Sequence, residues 1–439
     1  MKHPKGLYCL FTTEMWERFS YYGMRAILVL YLTASLVNGG LGYEPEKATV
    51  LYGIFTGLVY VTPLLGGWLA DNYLGKRLAV NIGTITCMAG HLCLASGANA
   101  VCLYSGLTLL ILGNGFFKPN ISVMVGELYS AQDDRKDAAY TIFYMGINLG
   151  AFFSPLVCGT LSDTCGYRYG FLAAAIGMLC GLIIFNTVGR KALGHIGDKP
   201  VRVAKNAGNA VLGNGAASLT KEEKDRTWVI VVLVVFSVFF FAGFEQAGSS
   251  MTLYADKFIN RQIGNWTLPT SWLQSVNPVF ILILAPLFSM LWQKLARIGK
   301  EPSIPTKMGL GMIILGLGFL VLDWACIERG GNNPDETVKA SLMFMIGAYF
   351  LHTVGELCLS PIGLSMVSKL SPVKLASLMM GVWLLSSFVA NIFGGFLARF
   401  TETLGALEIF LVIAAFSIVL GMVLLCLNKW LVRKSHGVL

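Results

Sequence analysis

The chain has 439 residues, of which 55% are hydrophobic and only 13% charged, and its formal net charge is +9. A soluble domain carries about 25% charged residues. The composition therefore excludes an ordinary soluble protein and predicts that most of the surface meets lipid. The first apolar run follows MKHPKG directly. It is too long for the core of a signal peptide and lacks a small-residue cleavage site, so we expect no cleaved leader.

The apolar runs predict twelve membrane spans, each of which needs roughly 20 residues. In chain order they are 7–37, 47–70, 77–97, 101–128, 136–162, 168–189, 226–256, 270–296, 305–327, 337–369, 373–400 and 405–432. Several exceed the minimum length, so we expect tilted or kinked helices. The longest connection, 190–225, is polar, basic and rich in Gly, Ala and Asn. It predicts a cytoplasmic linker that ends near a capping box formed by Thr220 and Glu223.

The linker separates six predicted spans in 1–189 from six in 226–439. This organisation resembles that of major-facilitator transporters. It predicts an all-α membrane protein with two six-helix bundles around a central cavity.

The basic residues predict the orientation of the spans. If the N-terminus is cytoplasmic, 23 of the 33 Lys and Arg residues lie on the cytoplasmic side, seven on the other side and three within spans. This asymmetry predicts that both termini are cytoplasmic. It also accounts for the positive net charge without nucleic acid. We therefore expect a multi-pass protein of the plasma membrane, which in a bacterium is the inner membrane.

The first predicted span contains Glu14, Glu17, Arg18 and Arg25. A centrally placed charge costs roughly 2.5–3.5 kcal/mol, whereas a Leu, Ile, Phe or Val returns only about 0.3–0.6 kcal/mol. Positions 14, 17, 18, 21, 22 and 25 share one helical face, and Glu14 reaches Arg18 at i+4. We therefore predict that this face meets a protein interior or a wet cavity. Either a transport pathway with a proton relay or a static ion-pair network would produce this pattern.

Later spans carry Lys118, Glu245 and Glu356. Together with those of the first span, these residues make three basic groups and four acids. Mutual pairing would produce such a near-balance. The one carboxylate in excess could be neutral or could carry a proton. His352 could tune Glu356 but is expected to be a packing histidine with its hydrogen bonds satisfied. The same expectation applies to His91. Asp323 is expected to be solvated near the outer rim.

Several motifs together resemble the proton-dependent oligopeptide transporters of the major facilitator superfamily. The residues are E14-M-W-E17-R18-F-S-Y21-Y22-G, Y60-V-T-P-L-L-G-G, G66-G-W-L-A-D71-N-Y-L-G75-K-R, K118-P-N, F143-Y-M-G-I-N148-L-G-A-F, F244-E245-Q, S275-V-N277-P and G355-E356-L-C-L-S-P. Two departures are visible. The linker is too short and polar for the two extra helices common in bacterial members. The loop from Glu328 to Lys339 is also too short for the outer domain of animal members.

The resemblance implies two sets of functional residues. The substrate-binding set is Arg25, Lys118, Tyr22, Tyr60, Asn148, Asn277, Glu356 and Trp383. The proton-coupling set is Glu14, Glu17, Arg18 and Glu245. In these roles, Arg25 and Lys118 hold the peptide carboxylate, Glu356 holds the ammonium group, and the two Asn side chains bind the peptide backbone. Trp383 could instead be an interfacial anchor.

The function implied by the resemblance is symport of protons with di- and tripeptides by alternating access. We expect a monomer with no metal and no cofactor other than the coupling proton. The alternatives left open are a proton-driven exporter or importer of another solute, a carrier of nitrate or a plant-type metabolite, and an ion channel. An enzyme is disfavoured because the chain has no GxSxG, HExxH or P-loop pattern.

Overall fold

The structure is a computed structural model that describes residues 3–130, 133, 135–200, 219–332, 335–372 and 375–437. Its helices are α1 Lys5–Thr33, α2 Pro45–Leu69, α3 Lys76–Ser96, α4 Ala100–Glu127, α5 Arg135–Cys165, α6 Tyr167–Ala192, α7 Lys221–Phe244, α8 Ser250–Phe258, α9 Val276–Arg297, α10 Ile304–Glu328, α11 Leu342–Leu370, α12 Ala376–Leu404 and α13 Ala406–Lys434. The prediction of an all-α membrane protein is confirmed.

Within the described residues, 11 helical segments are long and apolar enough to cross a membrane. Helices α7 and α8 form one such segment, and the 3₁₀ turn Glu245–Gly248 joins them. The first predicted span is missing from these 11 because the charged residues of α1 lower its apolarity. At 29 residues, α1 is nevertheless about 43 Å long at 1.5 Å per residue, which is enough to span a bilayer.

Two predicted boundaries were wrong. The first predicted span ran to Val37, whereas α1 ends at Thr33 and is followed by the 3₁₀ turn Leu36–Asn38. The tenth predicted span began at 337, whereas α11 begins at Leu342 because Ala340–Ser341 forms a short strand. The predicted capping box is confirmed. The Thr220 backbone N–H donates to Glu223 Oε2 at 2.9 Å, and the Glu223 N–H donates to Thr220 Oγ1 at 3.2 Å.

The described residues divide into two compact units. Unit 1 comprises those within Met1–Ala48, Leu58–Asn206 and Pro269–Pro278, and unit 2 comprises those within Thr49–Gly57, Ala207–Leu268 and Val279–Leu439. The boundaries at 189 and 226 stay predictions, since residues 201–218 of the predicted linker lie outside the described residues.

In unit 1, α1 packs mainly against α5 and α6. Helices α1 and α5 approach closely at Gly150 of α5, where an added Cβ would lie 3.0 Å from Arg18 Cβ and 2.9 Å from the Phe19 nitrogen. Such proximity of small residues is the usual way for membrane helices to bring their backbones together. Gly150, which belongs to the motif F143-Y-M-G-I-N148-L-G-A-F, therefore places α5 directly beside the charged part of α1.

In unit 2, α10 packs mainly against α13 and α11, and α7 packs against α12. The segment Thr49–Gly57 of α2 also belongs to this unit. It packs on α12 through two glycines, and a Cβ on Gly53 would lie 2.7 Å from Gly395 Cα. The helix α2 therefore contributes residues to both units.

Unit 2 also contains four short strands. They are β1 Ile259–Asn260, β2 Gln262–Ile263, β3 Trp266–Thr267 and β4 Ala340–Ser341. Strands β1 and β4 pair in parallel with Ile259 opposite Ala340, and β2 and β3 form an antiparallel hairpin. Gly264 has φ +62°, as the first central position of a type II′ turn requires. This hairpin was not predicted from the sequence, although Gly-Asn between two short runs signals it.

Candidate functional site

Glu14, Glu17 and Arg18 form one ion-pair cluster on α1, which we call the α1 cluster. Arg18 Nε lies 3.2 Å from Glu14 Oε1 and 2.5 Å from Glu17 Oε2. The three residues are 2%, 2% and 3% exposed, respectively. The predicted pairing of Glu14 with Arg18 is confirmed. The cluster holds one cation and two carboxyl groups within a buried space, so an added proton on one carboxyl would balance the charge.

Asn114 on α4 extends the α1 cluster to a second helix. Its Nδ2 donates a 3.0 Å hydrogen bond to Glu17 Oε1, and the residue is 2% exposed. Asn114 was not predicted from the sequence as a functional residue. The available signal was an amide between two glycines, G113-N114-G115, within an otherwise apolar span.

A third helix reaches the same region through His91 of α3. His91 Nε2 lies 3.2 Å from Ser20 Oγ, and Ser20 Oγ donates to the Glu17 carbonyl at 2.9 Å. His91 is fully buried. The histidine therefore supports the backbone of α1 at Glu17 through Ser20.

The basic side chains of unit 1 lie over tyrosine rings. Arg18 lies 5.3 Å from the ring centre of Tyr21, and Arg25 lies 5.9 Å from that of Tyr22. Lys118 of α4 lies 4.6 Å from the ring centre of Tyr60 on α2. These distances are within the range of cation–π attraction. The tyrosine faces can thus stabilise the cations.

The two predicted asparagines are both in unit 1. Asn148 of α5 donates from Nδ2 to the Tyr144 carbonyl at 3.0 Å. Asn277 is the second residue of α9. The segment that precedes it is bound to α5, because Trp272 Nε1 donates to Thr160 Oγ1 at 2.9 Å and Ser275 Oγ donates to the Phe152 carbonyl at 2.8 Å.

In unit 2, Glu245 lies where α7 ends and the 3₁₀ turn begins. The next residue, Gln246, is fully buried and donates from Nε2 to the carbonyls of Gly394 at 2.9 Å and Ala242 at 3.0 Å. These bonds attach the turn to α12. Gln246 was not identified as a positioning residue from the sequence, although it directly follows Glu245 in the quoted motif.

The other predicted residues of unit 2 are Glu356 and Trp383. Glu356 lies on α11 and is partly exposed. Trp383 of α12 is 8% exposed, and its ring packs on the backbone of α11 at Gly363. The structure thus places Glu245, Glu356 and Trp383 in unit 2 and the other nine predicted residues in unit 1. Their functional roles stay predictions.

Three expectations about buried polar groups were wrong. Asp323 is not solvated but 5% exposed. His352 is not satisfied, since neither of its ring nitrogens has a hydrogen-bond partner among the described residues. His91 is only half satisfied, since its Nδ1 has no such partner there. The error at Asp323 arose because proximity to a helix end in the sequence does not show which neighbouring helix covers a side chain.

The loop after α2 is held by ion pairs. Residues Ala70–Leu74 form a π turn, and Lys76 Nζ lies 3.4 Å from Asp71 Oδ1 and 2.9 Å from Glu127 Oε1. Arg77 Nη1 lies 2.7 Å from Asp198 Oδ1 in the segment after α6. These contacts connect α2, α3, α4 and the segment after α6 at one end of unit 1.

Among the described residues, no three His, Cys, Asp or Glu side chains are grouped so as to hold a metal ion.

The comparisons with known proteins agree on one family. The model of the POT family matches residues 77–213 and 203–413. The uncharacterized transporter YclF of Bacillus subtilis is 36% identical over 100% of this chain and 96% of its own length. A di-/tripeptide transporter of Lactococcus lactis is 31% identical over 99% of this chain and 97% of its own. A crystal structure of a peptide transporter POT in complex with sulfate is 36% identical, with a TM-score of 0.91 over 98% of this chain and 96% of that one.

Proposed function

Because this chain belongs to the POT family of multi-pass membrane transporters, we propose that it imports di- and tripeptides together with protons by alternating access. The observation that carries the proposal is the arrangement of unit 1. A buried cluster of two carboxyl groups and one arginine lies on the same helix as Arg25, and Lys118 stands on α4 over Tyr60. The peptide-transporting relatives support the same assignment.

A short peptide is a zwitterion with a fixed backbone and variable side chains. A site that accepts many peptides therefore has to bind the two charged ends and stay permissive between them. Arg25 and Lys118 supply cations for the carboxylate, and Glu356 supplies an anion for the ammonium group. Asn148 and Asn277 offer both donors and acceptors to the peptide backbone, while Tyr22, Tyr60 and Trp383 provide apolar walls with polar edges.

Proton coupling follows from the acids. Glu245 lies at a break between α7 and α8, where a non-helical backbone normally lines a cavity or a site. In our proposal, protonation of Glu245 makes Arg25 and Lys118 available to bind the peptide carboxylate. Release of the peptide then allows Glu245 to ionise again. The α1 cluster provides a second relay. The membrane potential adds about 2.3 kcal/mol per charge for each 100 mV.

The transporter acts in the plasma membrane with both termini in the cytoplasm, functions as a monomer, and uses no metal or cofactor besides the proton.

The decisive experiment is uptake of a labelled dipeptide by the full chain in proteoliposomes, with and without an inward proton gradient. Glu245→Gln removes the proton-binding group with little change in shape, so gradient-driven uptake is lost while exchange of peptide at equal pH persists. Glu301→Gln is the control, since Glu301 pairs with Lys307 at 2.6 Å and its side chain is 44% exposed. Full gradient-driven uptake by Glu245→Gln contradicts the coupling role. Gradient-driven efflux from oriented vesicles identifies an exporter, and saturation-free flux without counterflow identifies a channel.

A further inference from the structure

Unit 2 contains a buried acid that the proposed mechanism does not use. Asp323 on α10 is 5% exposed, and neither of its carboxyl oxygens has a hydrogen-bond partner among the described residues. An ionised carboxylate is rarely left without a partner in such a place, because burial favours the neutral form. The carboxyl group of Asp323 therefore holds a proton in this conformation.

The packing around Asp323 shows how the group is covered. Positions 309, 316 and 323 are seven residues apart and share one face of α10. This face packs tightly on α13, since a Cβ on Gly309 would lie 3.0 Å from the Gly421 carbonyl and one on Gly316 would lie 2.8 Å from the Ala414 carbonyl. Asp323 thus projects from the side of α10 that faces α13.

Aromatic rings cover Asp323 on the side that faces the middle of α10. Phe319, one helical turn from Asp323, contacts Phe410 of α13 with ring centres 5.9 Å apart and His352 of α11 with ring centres 4.6 Å apart. Tyr254 of α8 contacts Phe410 at 5.4 Å. Solvent is therefore nearest at the other end. Glu328, the last residue of α10, is exposed and lies about 7.5 Å along the helix from Asp323, at 1.5 Å per residue.

The charged and titratable groups around this end of α10 are Cys326 on α10, Arg329 just after it, Tyr254 of α8 and Glu408 of α13. His352 of α11 packs on Phe319, one helical turn from Asp323. Arg329 is engaged elsewhere, because its Nε donates to the Val338 carbonyl at 2.6 Å and its Nη2 to the Asp335 carbonyl at 3.1 Å. Glu408 accepts a hydrogen bond from Asn332. In this conformation the ionised form of Asp323 therefore gains little from its neighbours.

From these observations we propose that Asp323 is a second proton-binding site, located in unit 2 and filled from the end of α10 at Glu328. The site takes one proton from water when α10 and α13 separate there, and the aspartate becomes a neutral carboxylic acid. It releases the proton to water when the acid is next exposed, so the charge balances over the cycle. The inference rests on the proposed proton coupling and adds a site distinct from Glu245 and from the α1 cluster.

Infrared spectroscopy of the reconstituted full chain tests proton binding independently of transport. The difference between the spectra of the unmodified protein and Asp323→Asn is expected to contain a protonated carboxyl band at neutral pH, and this band should weaken reversibly at alkaline pH. In Asp256→Asn the band should be unchanged, since Asp256 pairs with Arg261 at 3.1 Å and its side chain is 47% exposed. Absence of a band that depends on Asp323, or a band unchanged at every pH, overturns the proposal.

Accumulation of dipeptide tests whether this proton is coupled. One coupled proton contributes about a tenfold concentration ratio per pH unit of gradient, so Asp323→Asn should lower accumulation by about that factor while peptide exchange persists. Accumulation equal to that of the unmodified protein overturns the proposal, because it marks a permanently neutral acid with a structural role. If the unmodified protein accumulates no peptide at all, the proposed function fails, and the infrared titration still decides whether Asp323 exchanges a proton.

Discussion

Asn114 on α4 donates a 3.0 Å hydrogen bond to Glu17 on α1. The other carboxyl oxygen of Glu17 lies 2.5 Å from Arg18 Nε. One carboxyl group thus accepts from a neutral amide on one side and from a guanidinium on the other. The position of α4 consequently affects how strongly Glu17 holds Arg18, and α4 also carries Lys118.

Removing the amide should impair the α1 cluster without altering its charge. We expect Asn114→Ala to lower proton-driven dipeptide uptake and to destabilise the protein by about 1.5–3 kcal/mol, the range for a hydrogen bond to a charged group. Uptake in proteoliposomes and thermal unfolding in detergent measure the two effects. Asn120→Ala is the matched control on the same helix, since Asn120 is also 2% exposed and donates to the Phe116 carbonyl within α4 at 2.7 Å. Equal losses of uptake in both variants would show that Glu17 does not depend on Asn114.

The charge balance of the α1 cluster gives a second prediction. Arg18→Met leaves two buried carboxyl groups without their cation, so we expect roughly 3–5 kcal/mol of destabilisation. Combining it with Glu14→Gln and Glu17→Gln removes the uncompensated charges and should restore most of the stability but none of the proton-driven uptake. Thermal unfolding and uptake are measured on the same samples.

A partly exposed arginine serves as the control for this series. Arg226 Nη2 lies 4.0 Å from Glu222 Oε2 near the start of α7, and Arg226→Met should change stability by about 0–1 kcal/mol. A triple variant as unstable as Arg18→Met would mean that packing around the guanidinium, and not charge, stabilises α1.

The α1 cluster was predictable because its information lies within one helix. Glu14 and Arg18 are four positions apart, and helix geometry alone brings them together. Asn114, Ser20 and His91 act across three helices, and nothing in the spacing of a single segment shows which helices are neighbours. Their contributions therefore needed the tertiary structure.

The same reasoning explains the error at Asp323. Its distance from the end of α10 suggested solvent, but the close packing of α10 on α13 covers it. The helix count and the type of fold were predictable because a bilayer imposes length and apolarity on every span. The break at Glu245 was not, because both α7 and α8 are apolar and the sequence reads as one continuous segment.

The tyrosine under Lys118 gives a third prediction. Lys118 Nζ lies 4.6 Å from the ring centre of Tyr60, and such contacts contribute about 0.5–2 kcal/mol depending on desolvation. We expect Tyr60→Leu to raise the KM for dipeptides by roughly 2- to 30-fold, because each 1.4 kcal/mol is tenfold. Tyr60→Phe keeps the ring and should stay close to the unmodified protein. A similar KM increase in both variants would assign the effect to the hydroxyl group instead.

The loop between α4 and α5 gives a prediction about pH. Hydrogen bonds from the Arg135 side chain and backbone lower the pKa of Asp133 to about 2. Asp133 Oδ1 accepts from Arg135 Nε at 2.9 Å and from its backbone nitrogen at 3.0 Å. An unfolded aspartate has a pKa of about 3.9. The stabilisation is therefore fully present above that value and is lost as the pH falls through the folded pKa.

Asp133 should consequently play no part in the acid stimulation of uptake. Between about pH 5 and 8, where both the folded and the unfolded carboxyl are ionised, we expect Asp133→Asn to leave the shape of the uptake–pH profile unchanged. Its difference in melting temperature from the unmodified protein should be constant over that interval and shrink only at more acidic pH. Parallel uptake and unfolding measurements across the pH range check both statements. A shifted pH optimum would place this loop, and not the buried acids alone, in the proton response.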